Sequence, residues 1–76
     1  MPYVNCRVME GVLSDDQKAD IAEQFTETIV SVVGEPVRGL TWVVIDDMTS
    51  GKLTIGGRPV TTEGVKDLLA GARASA

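Results

Sequence analysis

Apolar and polar side chains alternate along the first nine residues. Pro2, Val4, Cys6 and Val8 share one face of an extended chain, and Tyr3, Asn5, Arg7 and Met9 share the other. A period of two is that of a strand covered on one side, so a strand is expected over Tyr3–Met9, closed by Glu10-Gly11. The period then changes. Ser14-Asp15-Asp16-Gln17 has the spacing of a capping box, in which the Ser14 hydroxyl accepts from the Gln17 N–H while the Gln17 side chain reaches back, and two aspartates sit at the positive end of the helix dipole. Beyond it Ile21, Ala22, Phe25, Ile29, Val32 and Val33 recur at helical spacing, with Asp20, Glu23, Gln24 and Glu27 on the other side, until Gly34 and Pro36 end the helix. The acidic residues of that face read as solvated helix surface rather than as a metal or acid–base cluster.

Leu40 to Ile45 is a nearly unbroken apolar run between Gly39 and Asp46-Asp47. Such a run marks a strand buried on both faces, as in a parallel pair joined by a crossover helix. Strand, helix and strand then make one right-handed βαβ unit. Leu53-Thr54-Ile55 is a short strand ending at Gly56-Gly57, which reads as a hairpin turn, because the fuller glycine fingerprint of a phosphate cradle is absent. Thr61 or Thr62 opens a last short helix carrying Val65, Leu68 and Leu69, and residues 71–76 are expected to fray. The expected fold class is α+β, an α/β two-layer arrangement in a single domain over residues 1–76, with a βαβ core and a C-terminal hairpin.

The chain is short for a self-sufficient core. A chain of 76 residues buries only about 60% of the surface its unfolded form exposes, and domains this small lean on disulfides, metals or association. One cysteine excludes an internal disulfide, and without histidine there is no recognisable zinc set. One helix covers one face of a two-stranded sheet, which leaves the other face of Leu40–Ile45 bare. An obligate oligomer is therefore expected from burial alone.

The composition, 43% apolar and 24% charged, is that of a globular chain. No apolar run reaches the length of a membrane span, and no signal-peptide pattern opens the chain, so a cytoplasmic protein without membrane partners is expected. A net charge of −4 with seven scattered Lys and Arg residues argues against nucleic acid.

The one unusual chemical group is at the start. Initiator methionine is normally trimmed ahead of proline, which would leave Pro2 with a free secondary amine. An α-amino group has a reference pKa of about 7.7–8.0, and apolar surroundings lower it by penalising the charged form. Pro2 is then a neutral base near pH 7, and an amine able to add to a carbonyl.

Several ordered matches carry a resemblance from Pro2 to about Val60: Met1-Pro2 before an alternating strand, Met9-Glu10-Gly11, Ser14-Asp15-Asp16-Gln17-Lys18, Glu35-Pro36, Val43-Val44-Ile45-Asp46-Asp47-Met48 and Ile55-Gly56-Gly57. In these the chain resembles the 4-oxalocrotonate tautomerase family. The resemblance implies a βαβ subunit with a C-terminal hairpin, assembled as a homohexamer, a trimer of dimers. It implies an isomerase without cofactor or metal, in which the amino-terminal proline moves a proton between carbons of an unsaturated oxo acid.

The departures matter too. The family usually has an arginine after the Glu-Gly pair, where this chain has Val12, and a second arginine in the second strand, where it has Trp42 or Thr41. The aromatic residue two places before Ile-Gly-Gly is Leu53 here. Those arginines hold carboxylates in the family's mechanism, so a monoacid or a neutral enolisable carbonyl compound is the expected substrate. Pro2 is the expected catalytic residue, with Met9, Trp42, Leu53 and Ile55 as pocket wall. Replacement cations are sought in Arg38 and Arg58, and less in Arg7, which lies on the face opposite Pro2. Two rival readings follow from the same residues: a hydratase or dehalogenase-like enzyme with protonated Pro2, and a non-catalytic subunit of a hetero-oligomer.

Overall fold

The computed structural model describes residues 1–75, with side chains through Gly71. In chain order it contains β1 (Tyr3–Met9), α1 (Asp15–Val33), a 3₁₀ helix (Glu35–Leu40), β2 (Trp42–Met48), β3 (Leu53–Ile55), β4 (Arg58–Val60) and α2 (Thr62–Ser75). β1 and β2 form one two-stranded sheet, and β3 and β4 another. Contacts divide the chain into two compact units, Met1–Arg7 with Ser14–Asp46, and Val8–Leu13 with Asp47–Ala76.

In the first unit, α1 begins as its spacing predicts. The Ser14 hydroxyl accepts from the Gln17 N–H at 3.1 Å and the Gln17 side chain accepts from the Ser14 N–H at 2.9 Å, closing the capping box. At the far end Gly34, at φ +115°, lets the chain leave the helix while its N–H still reaches the Val30 carbonyl at 2.8 Å. The half-buried stripe is Lys18, Ile21, Ala22, Thr26, Ile29 and Val30. Val32, 82% exposed, and Val33 do not belong to the covered stripe, and Phe25 sits at its margin. Periodicity gives a residue its azimuth on a helix, not the point where the covering surface ends, and the last turn of α1 runs past it.

Leu40 is a second correction. It closes the 3₁₀ helix instead of opening β2, and it is exposed. Glu35-Pro36 is the reason. Proline's fixed φ suits the first turn of a helix, so the segment winds before it extends. The 3₁₀ helix packs on α1, with Val37 buried and Thr41 bonded back to the Val37 carbonyl at 2.8 Å. β2 then takes in Asp46 and Asp47, which the apolar run alone had put outside it.

β1 and β2 pair start to start, through the Trp42 N–H and the Pro2 carbonyl at 2.9 Å, and end to end, through the Glu10 N–H and the Met48 carbonyl at 2.9 Å. They are therefore parallel, the strand–helix–strand order read from the sequence. The first of these bonds sets Trp42 opposite Tyr3 in a parallel ladder. Both rings are largely exposed, and Asn5 and Asp46 on the same face join at 2.8 Å.

In the second unit, β3 and β4 pair antiparallel with Leu53 opposite Val60, Thr54 opposite Pro59 and Ile55 opposite Arg58. Gly56 and Gly57, at φ +58° and +80°, form the turn, where any other residue would be strained. Thr61 caps α2 by accepting the Gly64 N–H at 3.1 Å. α2 runs on through Gly71 to Ser75, and Ala76 lies outside the described residues. Met9 breaks the alternation of β1: by period it belongs with exposed Tyr3, Asn5 and Arg7, yet it is 5% exposed. By this residue the chain belongs to the second unit.

Candidate active site

Pro2 stands one residue ahead of β1, half-buried, with its carbonyl tied to the Trp42 N–H. That bond fixes the second residue of the chain to the first residue of β2. Met1 adds little to the packing, since it is 84% exposed, although its ammonium donates to the Leu40 carbonyl at 2.9 Å. Trp42 itself is 64% exposed. A proline and an indole are thus joined through main chain at the open end of the parallel pair.

Arg38 is not the unengaged cation that the sequence suggested. Its Nε donates to Glu35 Oε1 at 2.7 Å, Nη1 donates to Glu27 Oε1, and Nη2 reaches Glu27 Oε2 at 3.2 Å and Glu35 Oε2 at 3.3 Å. One guanidinium fork thereby ties α1 to the 3₁₀ helix. The acidic face of α1 is accordingly more than a solvated surface, since Glu27 is half of this tie. Hydrogen bonding to Arg38, reinforced by its charge, holds the Glu27 and Glu35 carboxyls below the ordinary glutamate range and pushes Arg38 up. A depressed carboxyl favours the folded state above its unfolded pKa and ceases to do so as the pH falls through the folded one. The tie is therefore present at neutral pH and is lost only in acid, below the usual glutamate range. In a carbon-detected NMR titration, Arg38→Ala should move both carboxyl midpoints upward; unmoved midpoints would mean that the cluster does not form in solution.

The remaining candidates lie in the second unit. Ile55 and Arg58 face each other across the hairpin turn, and Leu53 opens β3; all three are exposed. The Arg58 side chain has no hydrogen bond or ion pair among the described residues. Met9, the fourth residue expected in the pocket wall, is buried, at 5% exposure. Val12, standing where the resemblance would put an arginine, is half-buried.

Pro2 thus stands in front of a parallel strand pair, and a glycine-turned hairpin carries Arg58 beside its turn. The model of a family described as "Tautomerase enzyme" matches residues 2–63. The chain belongs to the tautomerase family. It is 39% identical over 57 residues to a probable tautomerase of Lactococcus lactis, covering 75% of this chain and 90% of that protein. A probable tautomerase of Bacillus cereus is 31% identical over 58 residues, covering 76% and 92%. Among solved structures, a 4-oxalocrotonate tautomerase isozyme from Methylibium petroleiphilum superposes with a TM-score of 0.67 at 26% identity, over 84% of this chain and 97% of that one. DmpI from Helicobacter pylori, at 24% identity, a TM-score of 0.68 and coverage of 78% and 95%, shares the fold. This tautomerase is an isomerase acting on a small molecule, and none of its described helices is long and apolar enough to cross a membrane.

Sequence reasoning missed one residue of this tautomerase. Glu10 was read as the end of β1 and as part of the Met9-Glu10-Gly11 match, with no role of its own, whereas it makes three hydrogen bonds, to Met48, Ser50 and Thr62. A carboxylate directly after an apolar strand and before a glycine was the available signal.

Proposed function

We propose that the mature tautomerase begins at Pro2 and that the neutral Pro2 nitrogen is the general base. It takes a proton from a carbon alpha or vinylogous to the carbonyl of an oxo acid or related compound. The electron pair left behind moves onto the carbonyl oxygen as an enolate, and the prolinium then returns the proton to another carbon. The observation that carries this reading is the half-buried Pro2, held by its carbonyl at the start of β2 behind an exposed Met1, in a chain of the tautomerase family.

Arg58 is the cation we give to the substrate's carboxylate, because Arg38 already holds two carboxylates of its own chain. A guanidinium offers such a group two parallel hydrogen bonds. Trp42, Leu53 and Ile55 supply apolar wall, which disfavours the charged form of the Pro2 amine. In the proposed assembly the site lies where subunits adjoin. Met9 and Val37 are the only buried apolar side chains among the described residues, while Tyr3, Trp42, Ile55 and Leu68 stand open. Such a chain needs copies of itself, and we propose the trimer of dimers. Lacking the two usual arginines, it should favour a monoacid or a neutral enolisable carbonyl compound over dicarboxylates.

Native mass spectrometry tests both parts together. Subunits lighter than the full chain by one methionine, in particles of six, are the expected result; retained methionine would leave Pro2 an amide and end the proposal. The pH–rate profile gives the direction, since a base loses activity on acidification and an acid on alkalinisation.

A further inference from the structure

Glu10 sits at the centre of a closed ring of hydrogen bonds. Its N–H donates to the Met48 carbonyl at 2.9 Å, its Oε2 accepts the Ser50 N–H at 2.6 Å, and its carbonyl accepts the Thr62 hydroxyl at 2.7 Å. Ser50 Oγ accepts the Thr62 N–H at 2.9 Å and completes the ring. Glu10, Ser50 and Thr62 are all half-buried. A side chain on Gly11, at φ +74°, would be strained and would meet Thr62 Cγ2 at 3.1 Å, so glycine lets the ring close.

The ring grips the base of the hairpin. Gly51, next to Ser50, donates its N–H to the Val60 carbonyl at 2.9 Å, and Lys52 N–H bonds Thr49 at 3.1 Å. The hairpin itself has three residues in each strand, all exposed except Val60. An isolated two-stranded ribbon of that size is not stable in water. Its position is therefore set by what holds its base, and the strongest hold is the bond from the Ser50 N–H to an ionised carboxylate, the charge-assisted kind. Arg58 is two residue pairs from that base, at the turn.

We propose that Glu10 is a positioning residue for Arg58: its carboxylate, through the Ser50 N–H, fixes the loop that launches β3 and so fixes where the hairpin presents the guanidinium to substrate. This rests on the reading of Arg58 given above. Glu10 touches no substrate and moves no proton.

The test compares Glu10→Ala, Glu10→Gln and Arg58→Ala in the assembled protein. In Glu10→Ala, amide exchange across residues 51–60 should quicken about tenfold or more while α1 is unchanged, as local opening of one segment requires. KM for phenylenolpyruvate should rise about three- to tenfold with kcat within about twofold, the mark of lost binding rather than lost chemistry. Glu10→Gln keeps an acceptor oxygen without the charge and should recover most of both effects. Adding Glu10→Ala to Arg58→Ala should leave KM where Arg58→Ala alone put it. Unchanged hairpin exchange in Glu10→Ala, or a KM increase that persists in full without Arg58, overturns the proposal. Should Glu10→Ala fail to fold, Glu10→Gln carries the test, with smaller shifts in the same direction expected and none overturning it. If hairpin exchange quickens but Arg58→Ala leaves KM untouched, the failure lies in the role given to Arg58.

Discussion

Pro2→Ala is expected to turn over phenylenolpyruvate or 2-hydroxymuconate about 10²–10⁴-fold more slowly than the unaltered chain, the range that a positioned acid–base group contributes. Alanine in second place still permits methionine removal and leaves a primary amine, so this variant removes the ring and its constraint rather than every basic nitrogen. A companion chain carrying one extra residue ahead of Pro2 isolates the nitrogen. There the ring and its packing survive, but the nitrogen is a tertiary amide whose lone pair is delocalised and accepts no proton. It should lose at least as much activity as Pro2→Ala. Substrate consumption followed spectrophotometrically at equal assembled protein reads both chains, and full turnover by the extended one would mean that another group is the base.

What was legible in the sequence was what neighbours in the chain decide. The capping box at Ser14 and Gln17 needs four consecutive residues and no tertiary partner, and it is present in both of its bonds. The Gly56-Gly57 turn is set by the φ angles that glycine alone adopts freely, and β3 and β4 flank it where the pattern put them. The parallel order of β1 and β2 followed from an apolar run after a helix. What the pattern left dark were features requiring residues far apart in sequence. Arg38 looked like an available cation because nothing in its own segment reveals that Glu27, 11 residues earlier, lies within reach. Leu40 is apolar and precedes apolar residues, so a strand was the natural reading; Pro36 four places earlier winds the segment instead. Glu10 and Ser50 are 40 apart, and their bond exists only once the chain has folded. For the site, Pro2 was named by its chemistry alone, whereas the surroundings of each candidate became visible only with tertiary structure.

Met9→Ala carries the largest expected cost in stability, and it separates packing from pocket. Truncating a buried methionine costs about 2–5 kcal/mol, from lost transfer energy and from the cavity left behind. Stability of roughly 0.05–0.15 kcal/mol per residue gives a chain of this length a total of about 4–11 kcal/mol. With Met9 and Val37 its only buried apolar side chains among the described residues, this chain has little else to absorb the loss. Urea denaturation at fixed protein concentration should therefore show the Met9→Ala midpoint far below that of the unaltered chain. Met9→Leu nearly conserves volume and should cost less than about 1.5 kcal/mol. Activity decides the role: counted per folded subunit, KM of Met9→Ala should stay within about twofold, because the side chain is buried in the fold. A Met9→Ala chain that denatures normally but binds substrate poorly would place Met9 in the pocket wall and show that the core is held elsewhere.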